Sequence, residues 1–176
     1  MVGLLCALLS AATVAQIHAT QEHRIRVSTL TEGLSHPWSL AFLPDGRMLV
    51  TERAGRLRMI GKDFKPDPRP VGGVPAVAAT GQGGLLDVVL HPKFADNQLV
   101  YLSYSAGDRN GIGTEVARGV LRGGQLENVQ LIFRMEPKLR SGYHFGSRLV
   151  FDREGYLYIT LGERGEMERA QNPGDH

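Results

Sequence analysis

The sequence predicts an all-β protein of the propeller type, assembled from short antiparallel strands. Three observations carry that expectation. Glycine and proline punctuate the chain heavily, with 22 and 9 of the 176 residues, which suits many short strands joined by turns better than long helices. Short apolar stretches alternate with Gly-, Pro- or Asn-containing turns along most of the chain. One strand–turn–strand unit also recurs. Leu40-Ala41-Phe42-Leu43-Pro44-Asp45-Gly46 resembles Leu149-Val150-Phe151-Asp152-Arg153-Glu154-Gly155, and Phe42 and Phe151, Gly46 and Gly155, and Thr51 and Thr160 are each 109 residues apart. Repeated units of this kind suggest propeller blades, with a β-sandwich of irregular meanders as the alternative the pattern leaves open.

Taken in order, the chain opens with an apolar, small-residue run from Val2 to Ala15, and no charged residue precedes Glu22. The run is too short for a membrane span. With small residues at Ala12, Val14, Ala15 and Ala19 it reads as an export signal over residues 1–19, followed by one domain over 25–176. The alternative is a buried N-terminal helix or strand. Cys6 is the sole cysteine and lies inside this segment, so the exported chain is expected to hold no thiol and no disulfide.

Beyond it, the pattern predicts strands over Ile25–Leu30, Trp38–Leu43, Arg47–Thr51 and Arg56–Ile60. Lys62 to Pro75 is expected to be an irregular surface loop. Further strands are expected over Gly84–Leu90, Gln98–Ser105, Thr114–Leu121, Leu126–Phe133, Ser147–Phe151 and Tyr156–Leu161, with a loop from His91 to Asn97 and another across Gly107–Gly113. Trp38 is expected in a blade core. A propeller closes with about four to eight four-stranded blades, so this length covers only an N-terminal portion of the ring. The turn-like tail Asn172–Asp175 fits that expectation of a fragment.

Several function classes find little support. The net charge is +2, and no Lys/Arg-rich run interleaves with aromatics, against nucleic-acid binding. There is no G-x-S-x-G elbow, no Walker loop and no strand–G-x-G-x-x-G–helix unit. His18, His23 and His36 lack metal-ligand spacing.

Three glycine-rich stretches border predicted strands, at positions that become blade rims where loops meet ligands. They are Gly81-Gln82-Gly83-Gly84-Leu85-Leu86-Asp87 with His91-Pro92-Lys93-Phe94, His144-Phe145-Gly146-Ser147-Arg148-Leu149, and Leu161-Gly162-Glu163-Arg164-Gly165. By spacing alone His144 reads as a loop histidine, Gln82 as a turn residue, Glu163 as a solvated turn carboxylate near Arg164, and His91 as a satisfied turn histidine. Asp87 and Arg148 read as structural ion-pair or turn residues.

These stretches, with His36 to Arg53, resemble the soluble aldose and glucose/sorbosone dehydrogenases that depend on pyrroloquinoline quinone. The resemblance runs from about Ile25 to the C-terminus. It implies a six-bladed propeller, oxidation of the anomeric hydroxyl of aldose sugars to lactones, and calcium alongside the quinone; the N-terminal export signal adds the expectation of a periplasmic or secreted location without a membrane span in the mature chain. The resemblance also implies catalytic roles for His144, as the base that takes the hydroxyl proton, and Glu163, as the carboxylate that orients it. Gln82 and Tyr143 become substrate contacts, although relatives often carry Asn or Asp where this chain has Tyr143. The resemblance puts cofactor carboxylate contacts and calcium ligands in later blades, so no metal ligand is expected here, and this chain alone is expected to be inactive. A non-catalytic propeller that binds carbohydrate or protein and a calcium-dependent propeller lactonase remain the alternatives.

Overall fold

Each of three successive hairpins is irregular in the same way, and that irregularity sets the architecture. The computed structural model describes residues 16–174. Within it, β3 (Pro37–Phe42), β4 (Met48–Glu52) and β5 (Arg56–Ile60) form a three-stranded antiparallel sheet, preceded in the chain by β1 (Gln16–Ala19) and β2 (Arg24–Val27). A four-stranded sheet follows, of β6 (Leu85–Leu90), β7 (Leu99–Asp108), β8 (Gly111–Arg122) and β9 (Gln125–Arg134), in that spatial order. The hairpin of β10 (Gly146–Phe151) and β11 (Leu157–Leu161) comes last, before a 3-10 turn at Met167–Gln171.

The repeat legible in the sequence is reproduced in the pairing. Pro37 pairs with Glu52, Leu40 with Val50 and Phe42 with Met48; 109 residues on, Gly146 pairs with Leu161, Leu149 with Ile159 and Phe151 with Leu157. Both hairpins shift register at the same place, as does β6–β7 between Leu85 and Val88. A bulge there bends the strand and re-aims its side chains. The β3–β4 and β10–β11 turns also match: Gly46 and Gly155 lie at φ 89° and 91°, which a glycine adopts without steric cost.

The middle sheet buries both faces. Alternate residues point to opposite sides, since successive side chains of a strand alternate. Val88, Val100 and Leu102 pack with Ala41, Leu49 and Leu57 on one side, whereas Val89, Leu99 and Tyr101 pack with Leu149, Phe151 and Ile159 on the other. The first strands of the three sheets are neighbours, β6 contacting both β3 and β10. Their bulge residues Ser39, Asp87 and Arg148 meet: the Ser39 hydroxyl donates to Asp87 at 2.5 Å, Arg148 Nη1 donates at 3.1 Å and the Leu149 N–H at 2.8 Å. The structural reading of Asp87 and Arg148 thus becomes one ion pair linking the sheets.

Buried hydroxyls join the sheets in a regular relay. Thr51 Oγ1 accepts the Ser39 N–H and donates to Leu86 O in the next sheet at 2.6 Å. Ser103 repeats this, accepting the Asp87 N–H and donating to Ser147 O at 2.6 Å. Both side chains are fully buried, and each hydroxyl finds partners as burial requires.

Some details differ from the sequence expectation. Residues 62–75 are not a free loop: the Val71 N–H donates to Leu57 O and the Asp67 N–H to Met59 O, both at 2.8 Å. The segment thereby covers the open edge of β5, which would otherwise present unpaired backbone groups. The Gly107–Gly113 stretch is mostly strand, because β7 and β8 extend to pair Asp108 with Gly111 across a two-residue turn. A single helical turn, α1 (Phe94–Asn97), sits in the His91–Asn97 loop. Trp38 is half-buried rather than in a core; the Arg148 guanidinium lies 4.3 Å from its ring centroid. His91 is satisfied, Nδ1 accepting from the Lys93 N–H and the Asn97 amide.

The chain divides after Glu32 into two compact units. In the first, β1 and β2 pair antiparallel from Gln16–Val27 to Ala19–Arg24, with the Thr20 hydroxyl and His23 backbone bonded across the turn. Gln16–Ala19, inside the 1–19 segment read as an export signal, is thus a strand; Met1 to Ala15 lies outside the described residues. Among the described residues no helix is long and apolar enough to cross a membrane.

Candidate active site

Three loops meet at one rim: residues 81–84 leading into β6, residues 141–145 leading into β10, and residues 162–165 leaving β11. Strand pairing dictates the meeting, since Gly146 and Leu161 are partners and β10 lies against β6. The loops are then tied by backbone bonds. The Gln82 N–H donates to Gly142 O at 2.7 Å, and Gln82 Oε1 accepts the His144 N–H at 2.9 Å. At Gly162 the approach is closer than any side chain allows, because a Cβ there would occupy the position of His144 O.

His144 and Glu163 are brought into contact. Glu163 Oε1 accepts from His144 Nδ1 and from the Gly165 N–H, the latter at 3.1 Å. The hydrogen bond from His144 is the main cause holding the Glu163 carboxyl below its usual range. A carboxylate at Nδ1 fixes the proton there and leaves Nε2 as the free lone pair of a neutral imidazole. The His144 side chain is 50% exposed, so the ring remains accessible. His144 itself sits at φ 55°, a left-handed conformation uncommon for residues other than glycine.

Tyr143 is half-exposed, and its ring meets the His144 ring edge-on at 5.0 Å between centroids. Gln82 is exposed at the rim, its carbonyl oxygen already engaged by the His144 N–H. All four residues singled out in the sequence therefore adjoin one another. The alternative of Glu163 as a solvated turn carboxylate near Arg164 does not hold, because its side chain is 18% exposed and bonds both His144 and the Gly165 N–H.

Sequence reasoning missed the supports beneath this site. Arg164 donates from Nε to Tyr143 O at 2.9 Å, from Nη1 to Ile112 O at 2.8 Å and from Nη2 to Ser141 O. Its guanidinium lies 3.7 Å from the Phe145 ring centroid, and burial pulls its pKa below the ordinary guanidinium value. Thr114 Oγ1 donates to Phe145 O at 3.0 Å. Isolated hydroxyl residues inside apolar strands, as in Tyr101-Leu102-Ser103-Tyr104-Ser105, were the available signal: a buried hydroxyl needs a partner. Among the described residues, no group of three or more His, Cys, Asp or Glu side chains gathers to hold a metal ion.

Stacked antiparallel sheets, meeting along their first strands with the functional loops on one rim, define a protein of the β-propeller class. The family described as Glucose / Sorbosone dehydrogenase matches residues 34–176. The aldose sugar dehydrogenase YliI of Escherichia coli K12 is 48% identical over 154 residues, covering 84% of this chain and 41% of that protein. The solved apo-form of the soluble aldose sugar dehydrogenase from E. coli superposes with a TM-score of 0.78 at 48% identity, covering 82% of this chain and 43% of that one. The PQQ-bound aldose sugar dehydrogenase of Streptomyces coelicolor superposes at 0.73 with 27% identity, over 92% of this chain and 46% of that one. The chain therefore belongs to the glucose/sorbosone dehydrogenase family. Its fold is that of the family's six-bladed β-propeller, and the described residues hold part of that ring.

Proposed function

We propose that this chain contributes the base-bearing rim of a quinoprotein oxidoreductase that converts aldose sugars to lactones. The contact between His144 Nδ1 and Glu163 Oε1 carries the reading, because it prepares an accessible imidazole nitrogen as a proton acceptor. In the proposed reaction the anomeric hydroxyl gives its proton to His144 Nε2. Pyrroloquinoline quinone, when bound by the whole protein, would supply the hydride acceptor for the same carbon. The C–O single bond becomes the lactone carbonyl as the C–H bond breaks. Glu163 keeps its charge throughout and stabilises the imidazolium that forms.

The residues present fit the sugar side of this chemistry. The Gln82 amide and the Tyr143 hydroxyl can both donate and accept, as sugar hydroxyls require. Half-exposed Tyr143 stands beside His144 where relatives often carry a smaller amide or acid, and its hydroxyl is the group it offers to a sugar. The quinone's carboxylates and calcium are assigned to no residue of this chain. Activity, substrate and cofactor use belong to the whole protein, since the chain spans 41% of the E. coli relative's length. The apolar run from Val2 to Ala15 supports export to the periplasm or beyond.

The test is anaerobic. The protein, loaded with quinone and calcium, is mixed with aldoses, and the quinone absorbance is followed. Aldose-dependent bleaching supports the dehydrogenase. Sugar binding without bleaching favours a non-catalytic carbohydrate-binding propeller, and lactone hydrolysis that survives His144→Ala favours a calcium-dependent lactonase.

A further inference from the structure

Through the segment that carries His144, every second carbonyl is held by a buried side chain. Ser141 O and Tyr143 O accept from Arg164, Phe145 O from Thr114, and Ser147 O from Ser103. Those three donors are 1%, 0% and 0% exposed. Arg164 alone spans the histidine, gripping carbonyls on its N-terminal side while its third arm reaches Ile112 O in β8.

We propose that Arg164 is the positioning residue of this site, setting the His144 ring against Glu163 by fixing the Ser141–Tyr143 backbone to β8. The inference rests on the reading of His144 as the base. A left-handed histidine persists only where its surroundings over-determine the conformation, and here they do. Arg164 takes the preceding carbonyl, Gln82 takes the His144 N–H, and the Phe145 ring that follows lies under the guanidinium. Among the described residues no carboxylate forms an ion pair with Arg164; its N–H groups are met by three carbonyls, a ring face lies against it, and the neighbouring Glu163 charge acts on it from further off. That arrangement suits a planar fork with five N–H donors and not an ammonium, which has three donors on one atom. Arg164 also follows Glu163 directly in the chain. One short loop therefore holds the ring with one residue and the backbone beneath it with the next.

Arg164→Lys keeps the charge and loses the fork. The full chain, with ¹⁵N-labelled histidine, is read by the Nδ1–H resonance of His144, whose hydrogen bond to Glu163 slows its exchange with water. Glu163→Ala, which removes the acceptor oxygen, serves as the direct break of the pair. We expect Arg164→Lys to lose this resonance as Glu163→Ala does, while the amide spectrum of β6–β9 stays native. In the active protein kcat falls about 100-fold with KM little changed. A native Nδ1–H signal in Arg164→Lys overturns the proposal. Should that variant not fold, the unaltered protein decides. The Arg164 Nε–H must then exchange as slowly as the β7–β8 amides, and rapid exchange overturns the clamp. Full activity in His144→Ala would instead sink the reading of the base, and the ring resonance would still decide the role of Arg164.

Discussion

The β3–β4 and β10–β11 hairpins share a register, a bulge, a turn and a hydroxyl, yet only the second carries a candidate site. At the position equivalent to His144 the first hairpin has Ser35, and opposite Glu163 and Arg164 it has Ala54 and Gly55. It nonetheless holds its entering loop with a carboxylate: Glu52, fully buried at the end of β4, accepts the Ser35 N–H at 2.7 Å and is bound by Arg56. In the second hairpin the carboxylate sits two places further on, in the loop, and holds the His144 side chain where Glu52 holds the Ser35 backbone. The same scaffold thus yields a structural latch at one rim position and a held imidazole at another. The difference lies in the loop pairs Ser35/His144, Ala54/Glu163 and Gly55/Arg164 and in the strand-end pair Glu52/Leu161.

That comparison can be broken in steps. The largest effect is expected where both hairpins are joined. Asp87 binds the equivalent residues Ser39 and Arg148 and the Leu149 N–H, so Asp87→Ala should cost roughly 3 kcal/mol by stranding buried donors, read as a drop in the chemical-denaturation midpoint. Next comes Glu163→Gln in the active protein, where loss of the carboxylate should lower kcat about 100-fold, or about 2.7 kcal/mol of barrier, with little change in stability. Thr51→Val should then cost about 1–2 kcal/mol, because Thr51 bonds both Ser39 and the next sheet. The equivalent Thr160 is exposed and bonds only Arg148 of its own hairpin. Thr160→Val should therefore cost less than about 1 kcal/mol, and equal losses at the two positions would end the distinction.

The smallest effect concerns pH. The Glu163 pKa is depressed, chiefly by the His144 hydrogen bond. Its contribution to stability is therefore fully present above the unfolded carboxylate value of about 4.3 and is lost as pH falls through the lower folded value. Between neutral pH and acid, stability should fall slightly more for the parent than for Glu163→Gln; identical slopes would contradict the pair.

Much of the strand plan was legible because turn chemistry is local: Pro44-Asp45-Gly46 and Glu154-Gly155 mark their own hairpins, and Arg56–Ile60 is a strand over the residues expected. The site residues were reached through the motif resemblance, since spacing alone leaves His144 an ordinary loop histidine. What stayed hidden was long-range. Nothing local to Ser103 states that its hydroxyl meets Ser147 O, 44 residues on. Arg164 carries no local signal of its burial, because the three carbonyls it holds are distant in the chain. The 62–75 segment is the irregular surface stretch expected, but its Pro-rich composition conceals that Val71 closes the β5 edge.

The most direct test of the central claim is the aldose-dependent rate of dye reduction by the quinone- and calcium-loaded protein, measured for the parent and for His144→Ala. The account predicts a loss of about 10²–10⁴-fold in kcat with fold and quinone affinity retained. An unchanged rate in the variant would show that the proton leaves by another group and that the held imidazole is only structural.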